Sequence, residues 1–147
     1  MPTVPVPEPV DAFLRGVHPA VIASVRADGS PHSAATWYDW DDGRVLLNMD
    51  DSRLRLRFLR RDPRISLTVL DTQSWYRHIT LVGHVTEIHA DTDLAGIDRL
   101  ARRYTGEAYP DRTSPRTNAW VEVESWHGWD AAGAILTHAE WKDAPGR

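Results

Sequence analysis

Between Ser52 and Arg64 the chain carries six arginines: Arg53, Arg55, Arg57, Arg60, Arg61 and Arg64. The whole chain has a formal net charge of -4, so this is a local positive field on an acidic protein. Guanidinium groups offer planar, bidentate donors, and a cluster of them is suited to cradling a small anion such as a phosphate. A nucleic-acid surface is disfavoured, because no other stretch extends the patch. The remaining reactive residue types are scattered. With no cysteine there is no thiolate nucleophile, no disulfide and no zinc–thiolate site. The seven histidines lack ligand spacing. His84 and His89 fall on opposite faces of a presumed strand, and His127 with Asp130 makes only one ligand pair. No Gly-x-Ser-x-Gly elbow supports a serine hydrolase.

The elements that must position the arginines are short strands. Glu8 to Gly16 reads as a helix, with Val10, Phe13, Leu14 and Val17 at helical spacing. Ala20 to Arg26, His32 to Trp40 and Arg44 to Asn48 read as strands separated by Asp28-Gly29 and Asp42-Gly43 turns. Ile65 to Leu70 is a fourth strand. Arg77 to His89 is a long fifth, and Gly83 in its middle marks a bulge or a close backbone approach. Asp91 to Tyr104 is the clearest helix. Its apolar stripe is Leu94, Ile97, Leu100, Ala101 and Tyr104, with aspartates at its start and arginines at its end. Ala119 to Trp126 is a sixth strand. Ile135 to Trp141 reads as a last short element.

The arginine segment itself supports two readings. Arg53-Leu54-Arg55-Leu56-Arg57-Phe58 alternates like a strand. Asp51 or Ser52 would cap a helix, and Asp62-Pro63 would stop it. The boundary residues favour the helix, which sets Arg53, Arg57, Arg60 and Arg61 on one side and aims Arg55 elsewhere.

At 147 residues the chain reads as one domain, 8–147, behind a Pro-rich lead-in at 1–7. No apolar run approaches the ~18–20 residues of a membrane span, and the N-terminus lacks a signal-peptide core. The expectation is a soluble, cytoplasmic protein with no nucleic-acid or membrane partner. Seven tryptophans point to core and subunit interface, and less often to a planar ligand. Short strands, tight turns and few helices predict a mainly β fold, a small antiparallel barrel or sandwich.

Several segments occur in an order that resembles one family. They are Gly29-Ser30-Pro31-His32, Thr36-Trp37-Tyr38, Leu59-Arg60-Arg61-Asp62-Pro63-Arg64-Ile65-Ser66-Leu67, Gly83, and Ala101-Arg102-Arg103-Tyr104-Thr105-Gly106. The set is similar to the pyridoxamine 5′-phosphate oxidase-like superfamily of flavin and deazaflavin split barrels. Within it the set most resembles the actinobacterial branch that uses coenzyme F-420. The resemblance covers roughly residues 8 to 129, and it is the order of the segments that is specific. It implies a six-stranded antiparallel split barrel of Greek-key type with flanking helices. It also implies a homodimer, with cofactor grooves at the subunit interface.

By the same resemblance, basic residues eight and ten positions before Pro63, here Arg55 and Arg53, would hold the cofactor phosphate. Asn48, Tyr76 and Arg77 would stand near the cofactor, and Trp37 either near the ring or in the core of the dimer interface. Tyr76 would be a hydrogen-bond partner of the ring, a proton donor to substrate, or a strand-edge aromatic with neither role. The family often has Asn where this chain has Phe58, so polar contacts are not expected there. The implied activity is hydride transfer between reduced F-420 and a small organic electrophile. An FMN flavoprotein of the same fold, or a non-catalytic cofactor carrier, are the alternatives. Pyridoxamine phosphate oxidation itself is disfavoured, because the chain is short and no arginine-rich motif follows Trp129. No residue stands out as a haem ligand, no metal is expected, and the substrate is not specified.

Overall fold

The computed structural model of the protein describes residues 6–129. In chain order these form α1 (Glu8–Arg15), β1 (Ala20–Val25), β2 (Pro31–Thr36), β3 (Asp39–Asp41), β4 (Arg44–Asp50), α2 (Leu54–Arg61), β5 (Arg64–Leu70), β6 (His78–Ala90), α3 (Ala95–Thr105) and β7 (Arg116–Trp129). The element expected at 135–141 and the His127–Asp130 pair reach outside the described residues.

One seven-stranded sheet runs in the order β2-β1-β5-β6-β7-β4-β3, with antiparallel neighbours throughout. Its two outermost strands, β2 and β3, are joined by Trp37 and Tyr38 alone. Laid flat at ~4.8 Å per strand, those edges would stand about 29 Å apart. The connecting chain spans at most about 11 Å. The sheet must therefore curl back on itself into a barrel. The fold is mainly β, a split barrel as expected.

The count of seven corrects the expected six. His32 to Trp40, read as one strand, breaks at Trp37–Tyr38. The cause is Tyr38, whose ring is wholly buried and whose hydroxyl donates to the Leu14 carbonyl at 2.8 Å. Burying this side chain turns the strand out of line.

Alternating residues fill the interior: Ala20 and Ile22 of β1, Ile65, Leu67 and Val69 of β5, Ile79 and Leu81 of β6, Val121 and Val123 of β7. Val10, Phe13 and Leu14 of α1 and Leu56 and Leu59 of α2 pack against them. Each such side chain contributes about 1.5–3 kcal/mol by leaving water. Gly83 sits where β6 shifts register against β7, and a Cβ there would lie 2.0 Å from the Glu122 carbonyl oxygen. The glycine is thus required by a close backbone approach at a bulge.

Two helix starts differ from expectation. Neither Asp51 nor Ser52 caps α2. Arg53 occupies the cap position with no side-chain hydrogen bond, while the Asp51 carboxylate accepts from the Thr117 hydroxyl at 2.6 Å. Helix α3 begins at Ala95 rather than Asp91, because Leu94 turns into the left-handed region at φ 61°. Asp91 still serves the helix, accepting the Gly96 and Ile97 N–H groups at 2.9 Å each.

Arg103 ties α3 to α1. Its terminal nitrogens donate to the carbonyls of Leu14, Arg15 and Gly16, and its Nε donates to the Tyr38 carbonyl at 3.0 Å. The first three are carbonyls that the end of α1 leaves without helical partners. The Tyr104 hydroxyl donates to the His18 carbonyl at 2.6 Å. The Arg103-Tyr104 pair of the sequence motif is therefore a bolt between α3, α1 and the β2–β3 junction.

Candidate functional site: a basic and aromatic groove

A groove of about 1100 Å³ is lined by β2, the end of β4, the start of α2, α3 and the loop between α3 and β7. It is slightly larger than the usual small-molecule site of about 300–1,000 Å³.

Its basic end is built by the turn after β4. The Asp50 carboxylate accepts the Ser52 N–H at 2.8 Å, and the Asp50 carbonyl accepts the Arg53 N–H at 3.0 Å. This turn delivers Arg53 and the uncapped first turn of α2 to the groove. Helix starts carry free N–H groups and a partial positive charge, so an anion is stabilised there. Arg55 lies one residue into the helix, partly buried, and its Nε is buried without a hydrogen-bond partner. Burial, and then the Arg53 charge, pull its guanidinium below the ordinary arginine value. An anion placed here relieves both effects. Arg53 and Arg55 therefore fit a phosphate. The Nδ1 of His32, another groove residue, is also buried and unpartnered. Its ring meets Phe58 edge-on, with centroids 5.3 Å apart. Position 58 thus faces an aromatic neighbour.

The aromatic wall is Trp37, Tyr104 and Tyr109. Trp37 stacks on Tyr104, and Tyr109 meets Trp37 edge-on at 6.3 Å. The loop carrying Tyr109 is fastened to α3. Asp98 accepts the Tyr109 N–H at 3.0 Å and both terminal nitrogens of Arg112 at 2.6 and 3.1 Å. The Arg112 guanidinium, more than any other group, holds the Asp98 carboxyl below the usual carboxylate range.

Of the residues expected at the site, Trp37, Asn48, Arg53 and Arg55 all line this groove. Asn48 does so with a committed side chain. It donates to Asp91 at 3.0 Å and Asn118 at 2.8 Å, and its oxygen accepts from Arg116 Nε at 2.7 Å. It acts on the groove by holding Arg116. Tyr76 and Arg77 do not line it. Tyr76 is 57 % exposed and stacks on the exposed Trp75 at the tip of the β5–β6 loop. Arg77 lies over the Phe13 ring at 5.4 Å. Arg57, Arg60 and Arg61 are exposed and border a separate hollow with Phe58.

Sequence reasoning missed Arg116, His32 and Tyr109 as groove residues. The signal for Arg116 is its register opposite Asp50, which depends on pairing β4 with β7. No local pattern reveals that pairing.

A curled antiparallel sheet with such a groove is a split barrel. The family model described as pyridoxamine 5′-phosphate oxidase matches residues 6–130, and the chain belongs to that family. Among solved structures, an F420 reductase is 27% identical, with 82% of this chain and 98% of that chain covered and a TM-score of 0.74. A conserved hypothetical protein from Mycobacterium tuberculosis is 24% identical over 92% of this chain and 91% of its own, with a TM-score of 0.72. General Stress Protein 26 from Bacillus anthracis is 17% identical over 84% and 92%, with a TM-score of 0.64. The last two show the fold alone. No curated protein matches the chain. No described helix is long and apolar enough to cross a membrane.

Proposed function

We propose that the protein is an F-420-dependent oxidoreductase acting on a small organic electrophile. The observation that carries this reading is the unpartnered, buried Nε of Arg55 beside the uncapped start of α2, in a groove walled by Trp37. Arg53, Arg55 and the first N–H groups of α2 hold the cofactor phosphate. Trp37 provides a flat wall for a planar group. When bound, reduced F-420 supplies a hydride. The protein binds, orients and keeps water away. The likeness to an F420 reductase supports the choice of deazaflavin, and the Tyr104-Thr105-Gly106 segment supports it from the sequence.

The working unit in this proposal is a cytoplasmic homodimer. The Trp75–Tyr76 pair, exposed on its own subunit, reaches the groove of a second copy, and Arg77 steadies the base of that loop. The family match also suits FMN, which would colour the purified protein yellow. Titration with F-420 and with FMN, followed by tryptophan quenching, separates the two. Quenching by F-420 at micromolar concentration supports the proposal. Its absence, with quenching by FMN, transfers the groove to a flavin.

A further inference from the structure

We infer that Arg116 forms a carboxylate-binding subsite beside the aromatic wall, so that the groove takes a planar organic acid as its substrate. This inference rests on the groove being the cofactor site. It is tested without cofactor, so that the two readings can fail separately.

Arg116 lines the groove and is held there at two points. Its Nε donates to Asn48, and its guanidinium carbon lies 4.8 Å from the centroid of the Tyr109 ring. Asn48 is itself fixed by Asp91 and Asn118, so the guanidinium is oriented before any ligand arrives. Among the described residues no carboxylate forms an ion pair with it. The two groove carboxylates near this end accept backbone donors; the Asp50 carboxyl is held below the usual carboxylate range first by Ser52 and more weakly by the Arg116 charge, without an ion pair forming. Asp50 accepts the Ser52 N–H, and Asp111 accepts the N–H groups of Thr113 and Ser114. Both terminal nitrogens of Arg116 therefore remain for a fork-like pair with a ligand carboxylate.

The neighbouring surface specifies the rest of the ligand. Tyr109 bridges Arg116 and Trp37, lying under the first and edge-on to the second. A ligand with its acid on Arg116 would set a flat apolar body along the Trp37 wall. A groove of about 1100 Å³ has room for such a molecule beside a cofactor held at Arg53 and Arg55. A lysine at position 116 would keep the charge but lose both the fork and the Nε anchor.

The test is ligand-observed NMR on the cofactor-free protein with nicotinate and its neutral counterpart nicotinamide. A site built for the carboxylate prefers nicotinate by about tenfold or more, the scale of a charge-assisted pair. Arg116→Gln brings the ratio near unity, while Arg60→Gln, outside the groove, leaves the preference in place. Should Arg116→Gln lose its melting transition, Arg116→Lys reads a smaller but measurable loss of preference, because the ammonium keeps the charge and drops the fork. Undetectable nicotinate binding, equal affinity for acid and amide, a preference that survives in Arg116→Gln, or one abolished by Arg60→Gln would each overturn the inference.

Discussion

Trp37 lies flat on Tyr104, with ring centroids 5.2 Å apart and planes 7° from parallel. The pair joins the seam of the barrel to the last turn of α3. Trp37 is one of the two residues linking the outermost strands, and Tyr104 is bolted to the chain beyond α1 through the His18 carbonyl. The aromatic wall of the groove is therefore anchored to the barrel closure itself.

Trp37→Ala removes the stacked pair, worth about 0.5–1.5 kcal/mol beyond its buried area. The expected outcome is a melting temperature lower by a few degrees, at roughly 2–4 °C per kcal/mol. Most of the fluorescence quenching on cofactor binding should disappear with it. Unchanged quenching would place the ring system away from Trp37.

Arg103→Ala strips donors from the Leu14, Arg15, Gly16 and Tyr38 carbonyls. Bonds from a charged donor are worth about 1.5–3 kcal/mol, and the expected loss in urea-determined stability is at the upper end of that range. Arg103→Lys recovers only part of it, because an ammonium cannot reach four acceptors with the same planar fork.

Gly83→Ala drives a Cβ to 2.0 Å from the Glu122 carbonyl oxygen, and that oxygen belongs to backbone that cannot swing aside. The expected cost is about 3 kcal/mol, the severe end of overpacking. Gly29→Ala meets nothing within 4 Å and carries only the strain of its φ of +85°. It should cost distinctly less in the same unfolding assay.

The Asp98–Arg112 clamp makes a pH-dependent contribution. The native state holds the Asp98 carboxyl below its ordinary value of 3.8, so the unfolded chain takes up the proton first. The stabilisation is complete above the ordinary value and is lost as pH falls through the native one. Asp62, held down to about 2 chiefly by its hydrogen bond from Arg64, behaves in the same way. Thermal melts from neutral pH to about pH 2 should show this decline. Asp98→Asn should flatten part of it and loosen Tyr109.

The parts of the fold legible in the sequence are those with local causes. Gly83 announced its close approach, the Asp-Gly pairs announced their turns, and Asp62-Pro63 announced the end of α2. The break at Trp37–Tyr38 was not legible. Nothing local says that Tyr38 is drawn inward to the Leu14 carbonyl, 24 residues earlier. The cap of α2 was misread for a similar reason: Asp51 is taken by Thr117, 66 residues away. In the groove, Arg53 and Arg55 stood out by density and position. Asn48 lines the groove, but its service to Arg116 depends on the β4–β7 register.

The central claim is that the inner arginine of the cluster, Arg55, receives the phosphate of a redox cofactor while the outer ones do not. Parallel F-420 titrations of the wild type, Arg55→Ala and Arg60→Ala test it most directly. Loss of a charge-assisted bond in Arg55→Ala should weaken binding by about 1.5–3 kcal/mol, roughly 10- to 150-fold, with Arg60→Ala close to wild type. An unchanged dissociation constant in Arg55→Ala, or an equal loss in Arg60→Ala, would contradict it.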